Sequence, residues 1–176
     1  MTDTPKRLRI FGEETVRREG ASEEENPYWL DEEPQPHPNP ELGCIRRGLC
    51  CKSSPGWFGP GEVEAAAAFM DMAPDDFVRR YIVIDRLEID GQTAEVFVPV
   101  KLGRDGEPLM KPGTRVDDLY RMLRSPCVFF ENNGCVIYGA RPSECRRYIC
   151  TNTSAENLSH RTIAEHWLRG EPISDD

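Results

Sequence analysis

Residues 127–150 read CVFFENNGCVIYGARPSECRRYIC, and this stretch holds more than half of the cysteines in the chain. Its cysteines, Cys127, Cys135, Cys145 and Cys150, are called the second cysteine group. Residues 44–51, CIRRGLCC, supply the first cysteine group, which is Cys44, Cys50 and Cys51. All 7 cysteines of the 176-residue chain thus fall into two groups. This clustering predicts that the cysteines act together, as ligands of a metal ion or an iron–sulfur cluster.

The expected compartment favours metal ligation over disulfides. The chain starts MTDTPKR, without the apolar core of a secretory signal. No stretch approaches the ~18 apolar residues of a membrane-spanning helix. We therefore expect a cytoplasmic protein without a membrane contact, in which thiols stay reduced. The odd number of cysteines and the adjacent pair Cys50–Cys51 also argue against a full set of disulfides.

Ligand counting favours a closed four-cysteine site together with an open three-cysteine site. Structural zinc takes four protein ligands, and common iron–sulfur clusters take four cysteines. Because neighbouring side chains usually diverge, we expect Cys50 and Cys51 to serve different metals, or one a metal and the other the core. Zinc and an iron–sulfur cluster both suit thiolate ligands, and we favour the cluster slightly. His160 and His166 are further candidate ligands, and His37 is a weaker one.

The two cysteine groups are expected to meet in space, because neither group alone provides a closed site. At least one sulfur of the first group should lie within about 4 Å of one in the second, the edge of a tetrahedron with ~2.3 Å metal–sulfur bonds. Asn133-Gly134 favours a tight turn that brings Cys127 and Cys135 together. A helix should then start near Pro142 and carry Cys145.

Residues 44–170 predict one small α+β domain of short helices and hairpins, organised around the cysteine-ligated centre. Apolar residues at helical spacing predict a helix from about Pro60, with its apolar face at Val63, Ala66, Ala67 and Met70. A second short helix is expected near Pro74. Asp90-Gly91 is a hairpin signal between two β-like runs. A last helix is expected from about Ser154 to Arg169, with a capping box at Thr153 and Glu156.

Residues 1–43 differ in composition from the rest of the chain. They carry 11 acidic residues against 5 basic ones, and 6 of the 15 prolines. This composition predicts an extended, flexible acidic arm, which is a candidate binding segment for a basic protein partner. Residues 171–176 are expected to be a tail. The net charge of −9 argues against duplex nucleic acid as a ligand.

Arginines recur beside the cysteines. They are Arg46, Arg47, Arg124, Arg141, Arg146 and Arg147. Cationic groups near thiols offset the charge of the thiolates and favour the ionised, ligating form.

The cysteine-containing stretches resemble the YkgJ-like cysteine-cluster proteins, also described as CxxCxxCC or zinc- or iron-chelating domains. The resemblance in the second group lies in Cys127-Val128-Phe129, Gly134-Cys135-Val136-Ile137-Tyr138, Arg141-Pro142-x-x-Cys145-Arg146 and Cys150. The first group matches as Cys44-x-x-Arg47-x-x-Cys50-Cys51, with Arg47 where the family has another cysteine. The resemblance implies metal or cluster binding by the matching cysteines, and it implies no reaction.

These observations predict a cytoplasmic metal-binding protein whose centre has a structural, redox or metal-handling role. One alternative is a small metalloenzyme or oxidoreductase that uses the open three-cysteine site, with Tyr138, Arg141 and Arg146 as candidate substrate or proton-transfer groups. Another is a protein-interaction module stapled by its metal. The sequence leaves open whether the protein is an enzyme.

Overall fold

The computed structural model describes residues 48–132, 134–148 and 157–174. Within these ranges the protein is an α+β structure of short helices and small antiparallel hairpins, as the sequence predicts. The acidic arm, Cys44, Cys150 and the capping box at residues 153–156 all lie outside the described residues.

The described ranges contain six α-helices, a short 3-10 helix at Tyr138–Ala140 and four strands. The helices are α1 (Leu49–Ser53), α2 (Glu62–Phe69), α3 (Pro74–Tyr81), α4 (Asp118–Met122), α5 (Ser143–Arg147) and α6 (His160–Arg169). The strands are β1 (Ile82–Ile89), β2 (Gln92–Pro99), β3 (Phe130–Glu131) and β4 (Gly134–Cys135).

The longer hairpin pairs β1 with β2 along their whole length, from Ile82 opposite Pro99 to Ile89 opposite Gln92. Asp90 and Gly91 form its two-residue turn, and both have positive φ, 50° and 82°. Two positive-φ residues are what a tight hairpin turn of this length requires, so the predicted Asp-Gly signal is confirmed.

Helix α2 buries Val63, Ala66 and Ala67, which confirms its predicted apolar face. The helix begins at Glu62 rather than at Pro60, because Gly61 occupies the N-cap with a φ of 82°. Helix α3 starts with Pro74 in its first turn, where the missing N–H has no intrahelical partner in any case.

The hydrophobic core centres on aromatic side chains from several elements. Phe77 of α3 stacks on Phe129, with ring centroids 5.6 Å apart, and meets Phe58 edge to face. Helix α6 packs on the β1–β2 hairpin, where the Trp167 ring lies 5.3 Å from the Phe97 ring of β2, and the Trp167 Nε1 donates to the Phe58 carbonyl at 2.8 Å. The core therefore joins residues next to both cysteine groups.

Helix α6 starts at His160, so the predicted start near Ser154 is wrong. Ser159 is the N-cap, and its hydroxyl accepts a hydrogen bond from the Thr162 amide at 3.1 Å. The helix ends at Arg169, as predicted, and Gly170 follows as its C-cap with a φ of 67°. Beyond the helix, Ile173 is buried in the core.

A buried lysine fixes the segment that leads into the second cysteine group. Lys101 is 2% exposed, and its Nζ donates to the carbonyls of Tyr120, Arg121 and Leu123 at the end of α4. The backbone of Lys101 pairs with Cys127 in an isolated antiparallel bridge. No helix in the described part of the chain has the length and apolar character needed to cross a bilayer.

Candidate metal centre

Five cysteines from separate segments line one cavity of about 80 Å³. They are Cys50, Cys51, Cys127, Cys135 and Cys145. The two cysteine groups thus meet in space, as the sequence predicts. Cys44 and Cys150 lie outside the described residues, so their positions stay predictions.

Helix α1 carries Cys50 and Cys51 and is tied to the second group by backbone hydrogen bonds. The Cys51 carbonyl accepts from the Cys127 amide at 2.7 Å, and the Ser53 carbonyl accepts from the Ser125 amide at 3.1 Å. The helix follows Gly48, whose φ of 70° turns the chain into it. These bonds hold the adjacent cysteines against the segment that contains Cys127.

The sulfurs of Cys50 and Cys51 are 3.9 Å apart, so the expected divergence of these neighbours is not observed. Consecutive residues on a helix point about 100° apart, and two such short side chains still reach the same cavity. The separation is close to the edge of a tetrahedron with ~2.3 Å metal–sulfur bonds. The spacing suits two thiolates on one metal ion.

The short hairpin positions Cys127 and Cys135. Strands β3 and β4 pair Phe130 with Cys135, and the Phe130 amide donates to the Cys127 carbonyl at 3.0 Å. The Phe129 amide also donates to the Cys127 sulfur, at 3.4 Å. The predicted hairpin therefore brings both cysteines to the cavity. The predicted position of the turn is shifted, because Asn132 lies in the turn with a φ of 48° and Gly134 already begins β4, while Asn133 lies outside the described residues.

Two glutamates fix the helix that carries Cys145. The Glu62 carboxylate of α2 accepts from the Ser143 amide at 2.9 Å and from the Arg146 guanidinium at 3.0 Å. On the other side, Glu144 accepts from the Trp57 amide at 2.6 Å and pairs with His160 at 3.1 Å. Helix α5 is therefore braced from two directions.

The thiols influence one another electrostatically. Burial raises the pKa of Cys127 and Cys145, and raises that of Cys135 to about 11. The charge of neighbouring cysteines raises all three further. A hydrogen bond from Cys51 lowers the pKa of Cys50 to about 7, and the same bond raises that of Cys51. A bound cation removes this mutual repulsion, because it supplies the opposite charge.

The thiols share a cavity without converging on a single point. Across the described ranges, no three His, Cys, Asp or Glu side chains are arranged to hold a metal ion as they stand. The short sulfur contact that we observe lies within the first group, and the 4 Å contact expected between the groups stays a prediction. Metal binding at this cavity therefore requires the thiol side chains to move.

The candidate histidines lie elsewhere. His160 stacks on Trp57, with ring centroids 3.9 Å apart, and pairs with Glu144. His166 has its Nδ1 3.1 Å from the Glu171 carbonyl, near the surface. Neither side chain lines the cysteine cavity. His37 is outside the described residues.

The candidate polar groups divide between two places. Tyr138 and Arg141 line the cysteine cavity, together with Tyr148. Arg146 does not; it pairs with Glu62 and lines a separate surface groove. Sequence reasoning missed the bracing glutamates, since Glu62 is 81 positions from its partner Ser143 and has no local signature.

Comparisons with protein-family models, curated proteins and solved structures find no match to this chain. The resemblance to the YkgJ-like proteins therefore stays a prediction that rests on the residues of the two cysteine motifs.

Proposed function

We propose that this protein binds an iron–sulfur cluster or zinc through the cysteines of the cavity, and that the centre has a structural, redox or metal-handling role. One observation carries the proposal. Thiols from α1, from the β3–β4 hairpin and from α5 line the same small cavity. Soft thiolates in one cavity are the ligand set of zinc and of iron–sulfur clusters.

A single centre fits this geometry better than two separate sites. The four-plus-three count places Cys50 and Cys51 on different metals. Their 3.9 Å separation and their common cavity instead support one shared site. Cys44 precedes Gly48 by four positions in the chain and Cys150 follows Tyr148 by two, so both are close in sequence to residues that line the cavity.

The size of the cavity favours a cluster over a bare zinc ion. Its volume of about 80 Å³ is several times the roughly 10–15 Å³ that one water molecule needs. A cluster of iron and sulfide occupies such a space. A lone zinc ion draws four thiolates to ~2.3 Å, which requires a larger closure of the site.

The decisive experiment is anaerobic purification of the whole chain, followed by absorption spectroscopy and analysis of iron, sulfide and zinc. Visible absorption with stoichiometric iron and sulfide identifies a cluster, and a colourless protein with stoichiometric zinc identifies a zinc site. Cys145→Ser should lose most of the metal, whereas Ser159→Ala, at the N-cap of α6, should retain it. Wild-type protein without stoichiometric metal, even after anaerobic reconstitution, contradicts the proposal.

A further inference from the structure

Arg141 presents a guanidinium group at the wall of the cysteine cavity. Its Nε donates to the Tyr138 carbonyl at 3.0 Å, and its guanidinium carbon lies 3.6 Å from the centroid of the Tyr138 ring. These two contacts fix the group in place. The positive charge is therefore held beside the thiols rather than free to swing into solvent.

Arg141 is the one lysine or arginine among the described residues that line the cysteine cavity. Arg146 pairs with Glu62 at 3.0 Å, and Arg121 pairs with Asp85 at 2.8 Å. The ammonium group of Lys101 points to three carbonyls of α4. Within the described lining of the cavity, the positive charge is therefore that of Arg141.

A thiolate-held centre needs such a charge. Four thiolates around one divalent ion leave a net charge of −2, and a buried net charge is costly unless it is compensated. Arg141 supplies a charge of this sign at the wall of the cavity that the five cysteines line.

We propose that Arg141 is the counter-charge of the metal centre, which stabilises the thiolate-bound metal and makes a redox-active centre easier to reduce. The inference rests on the proposed function, and it assigns to one residue the control of metal affinity at that site. Arg141 acts on the ligands through its charge and is not itself a ligand. Removing a group that supports metal ligands typically weakens metal binding ten- to a hundredfold.

Cobalt(II) provides the test, because thiolate ligation gives it a visible charge-transfer absorption. Full-length protein, freed of metal and kept anaerobic, is titrated with Co²⁺ at low salt in four forms: wild type, Arg141→Gln, Arg141→Lys and Arg147→Gln. Arg147 is the matched control, because it is an exposed arginine on α5 that contacts the Ser174 carbonyl and does not line the cavity. Circular dichroism checks that each variant is folded.

The expected result is Co²⁺ binding about ten- to a hundredfold weaker in Arg141→Gln. Arg147→Gln should stay within about twofold of wild type, since an exposed charge contributes little. Arg141→Lys should bind much closer to wild type than Arg141→Gln does, because lysine keeps the positive charge although it loses the planar contact with Tyr138. In a cluster-containing protein, Arg141→Gln should also lower the midpoint potential, because reduction adds negative charge.

Three results would overturn the inference while leaving the proposed function intact. They are an Arg141→Gln variant that binds Co²⁺ like wild type, an equal loss in Arg147→Gln, and a lysine variant as weak as the glutamine variant. If Arg141→Gln does not fold, the lysine variant decides: near-wild-type affinity supports the counter-charge, and a large loss refutes it. Wild-type protein that binds no Co²⁺ would refute the proposed function together with this inference.

Discussion

The sulfur of Cys145 lies against the backbone of Gly56, so closely that a Cβ atom at position 56 would be 2.6 Å from it. The same Cβ would be 3.1 Å from the Cys145 amide nitrogen. Position 56 therefore accepts only glycine as long as Cys145 keeps its place on the cavity wall. Because Gly56 is buried, an added side chain cannot avoid the clash by moving into solvent.

Replacing Gly56 with alanine should displace Cys145 and release metal. The variant should lose most of its metal and about 1–3 kcal/mol of stability, the usual cost of inserting an atom into a packed site. Metal analysis and thermal unfolding measure both effects. Gly91→Asn is the control, because nothing lies within 4 Å of a Cβ there and Asn tolerates its positive φ. Retention of full metal in Gly56→Ala would show that Cys145 is not a ligand.

Serine substitutions at Cys50 and Cys51, made separately, should each reduce bound metal. Their sulfurs share one cavity at 3.9 Å, so neither should be dispensable. Cys135→Ser should behave in the same way and should also destabilise the β3–β4 segment, because metal binding and folding are coupled. Metal content and circular dichroism provide the measurement. If either the Cys50 or the Cys51 variant keeps all its metal, the result would favour the arrangement predicted from ligand counting, in which the two cysteines do not share one metal.

Replacing Glu62 with glutamine should loosen the helix that carries Cys145. The Glu62 side chain is 13% exposed and accepts bonds from Ser143, Arg146 and Gly59. The loss of a charged acceptor with several donors should cost about 1–3 kcal/mol in urea unfolding, with a parallel loss of metal. Glu64→Gln, on the exposed side of the same helix, should have little effect. Equal stability of the two variants would argue against the brace.

Tyr120 gives a stability contribution that depends on pH. Burial raises its pKa from 10 to about 12, so its stabilisation is complete below pH 10 and disappears as the pH rises to 12. Its hydroxyl accepts from the Lys101 amide at 2.8 Å, and Tyr120→Phe should cost about 1–3 kcal/mol at pH 8. The difference from wild type should shrink by about 1 kcal/mol at pH 11, because phenylalanine does not ionise. A difference that stays constant in denaturant unfolding at both pH values would contradict this assignment.

Deleting residues 1–40 should leave metal content and melting temperature nearly unchanged. The segment is too acidic and proline-rich to bury much apolar surface, and the hydrophobic core of the described residues runs from Trp57 to Ile173. Metal analysis and thermal unfolding of the truncated protein provide the check. A large loss of either would show that the arm is integral, through residues such as Trp29.

Local signals made part of the fold predictable. Asp90-Gly91 encodes its turn within two residues, and the apolar spacing of α2 is contained in one segment. The predicted start of α6 near Ser154 was wrong, because it relied on the capping-box pattern at Thr153 and Glu156, whereas the N-cap in the structure is Ser159. Boundaries of this kind depend on single hydrogen bonds, here that of the Ser159 hydroxyl.

The sequence predicted that cysteines of both groups come together, as five of them do at the cavity, but it did not predict the contacts that support them. The spacing of the cysteines in the sequence was enough to predict that the two groups lie close together. The contacts of Glu62 with Ser143 and of Glu144 with Trp57 join residues that are far apart in sequence and of ordinary type. That the Cys50 and Cys51 sulfurs reach the same cavity depends on the placement of α1 against Cys127. Long-range packing decides such features, and a single sequence carries no pattern for them.

The cavity takes its walls from residues between Gly48 and Tyr148, and this spread has a consequence for biosynthesis. During translation the first cysteines emerge long before α5 exists, so they stay without their full set of partners until almost the whole domain has left the ribosome. In the proposed function, a metal held by both cysteine groups would act as a crosslink that closes the long loop from Cys51 to Cys127. A covalent link across a loop of this size raises the free energy of the unfolded chain by about 4–5 kcal/mol in the polymer treatment, because it removes conformational entropy. Loading of the proposed centre would then be a late event that stabilises a nearly finished fold.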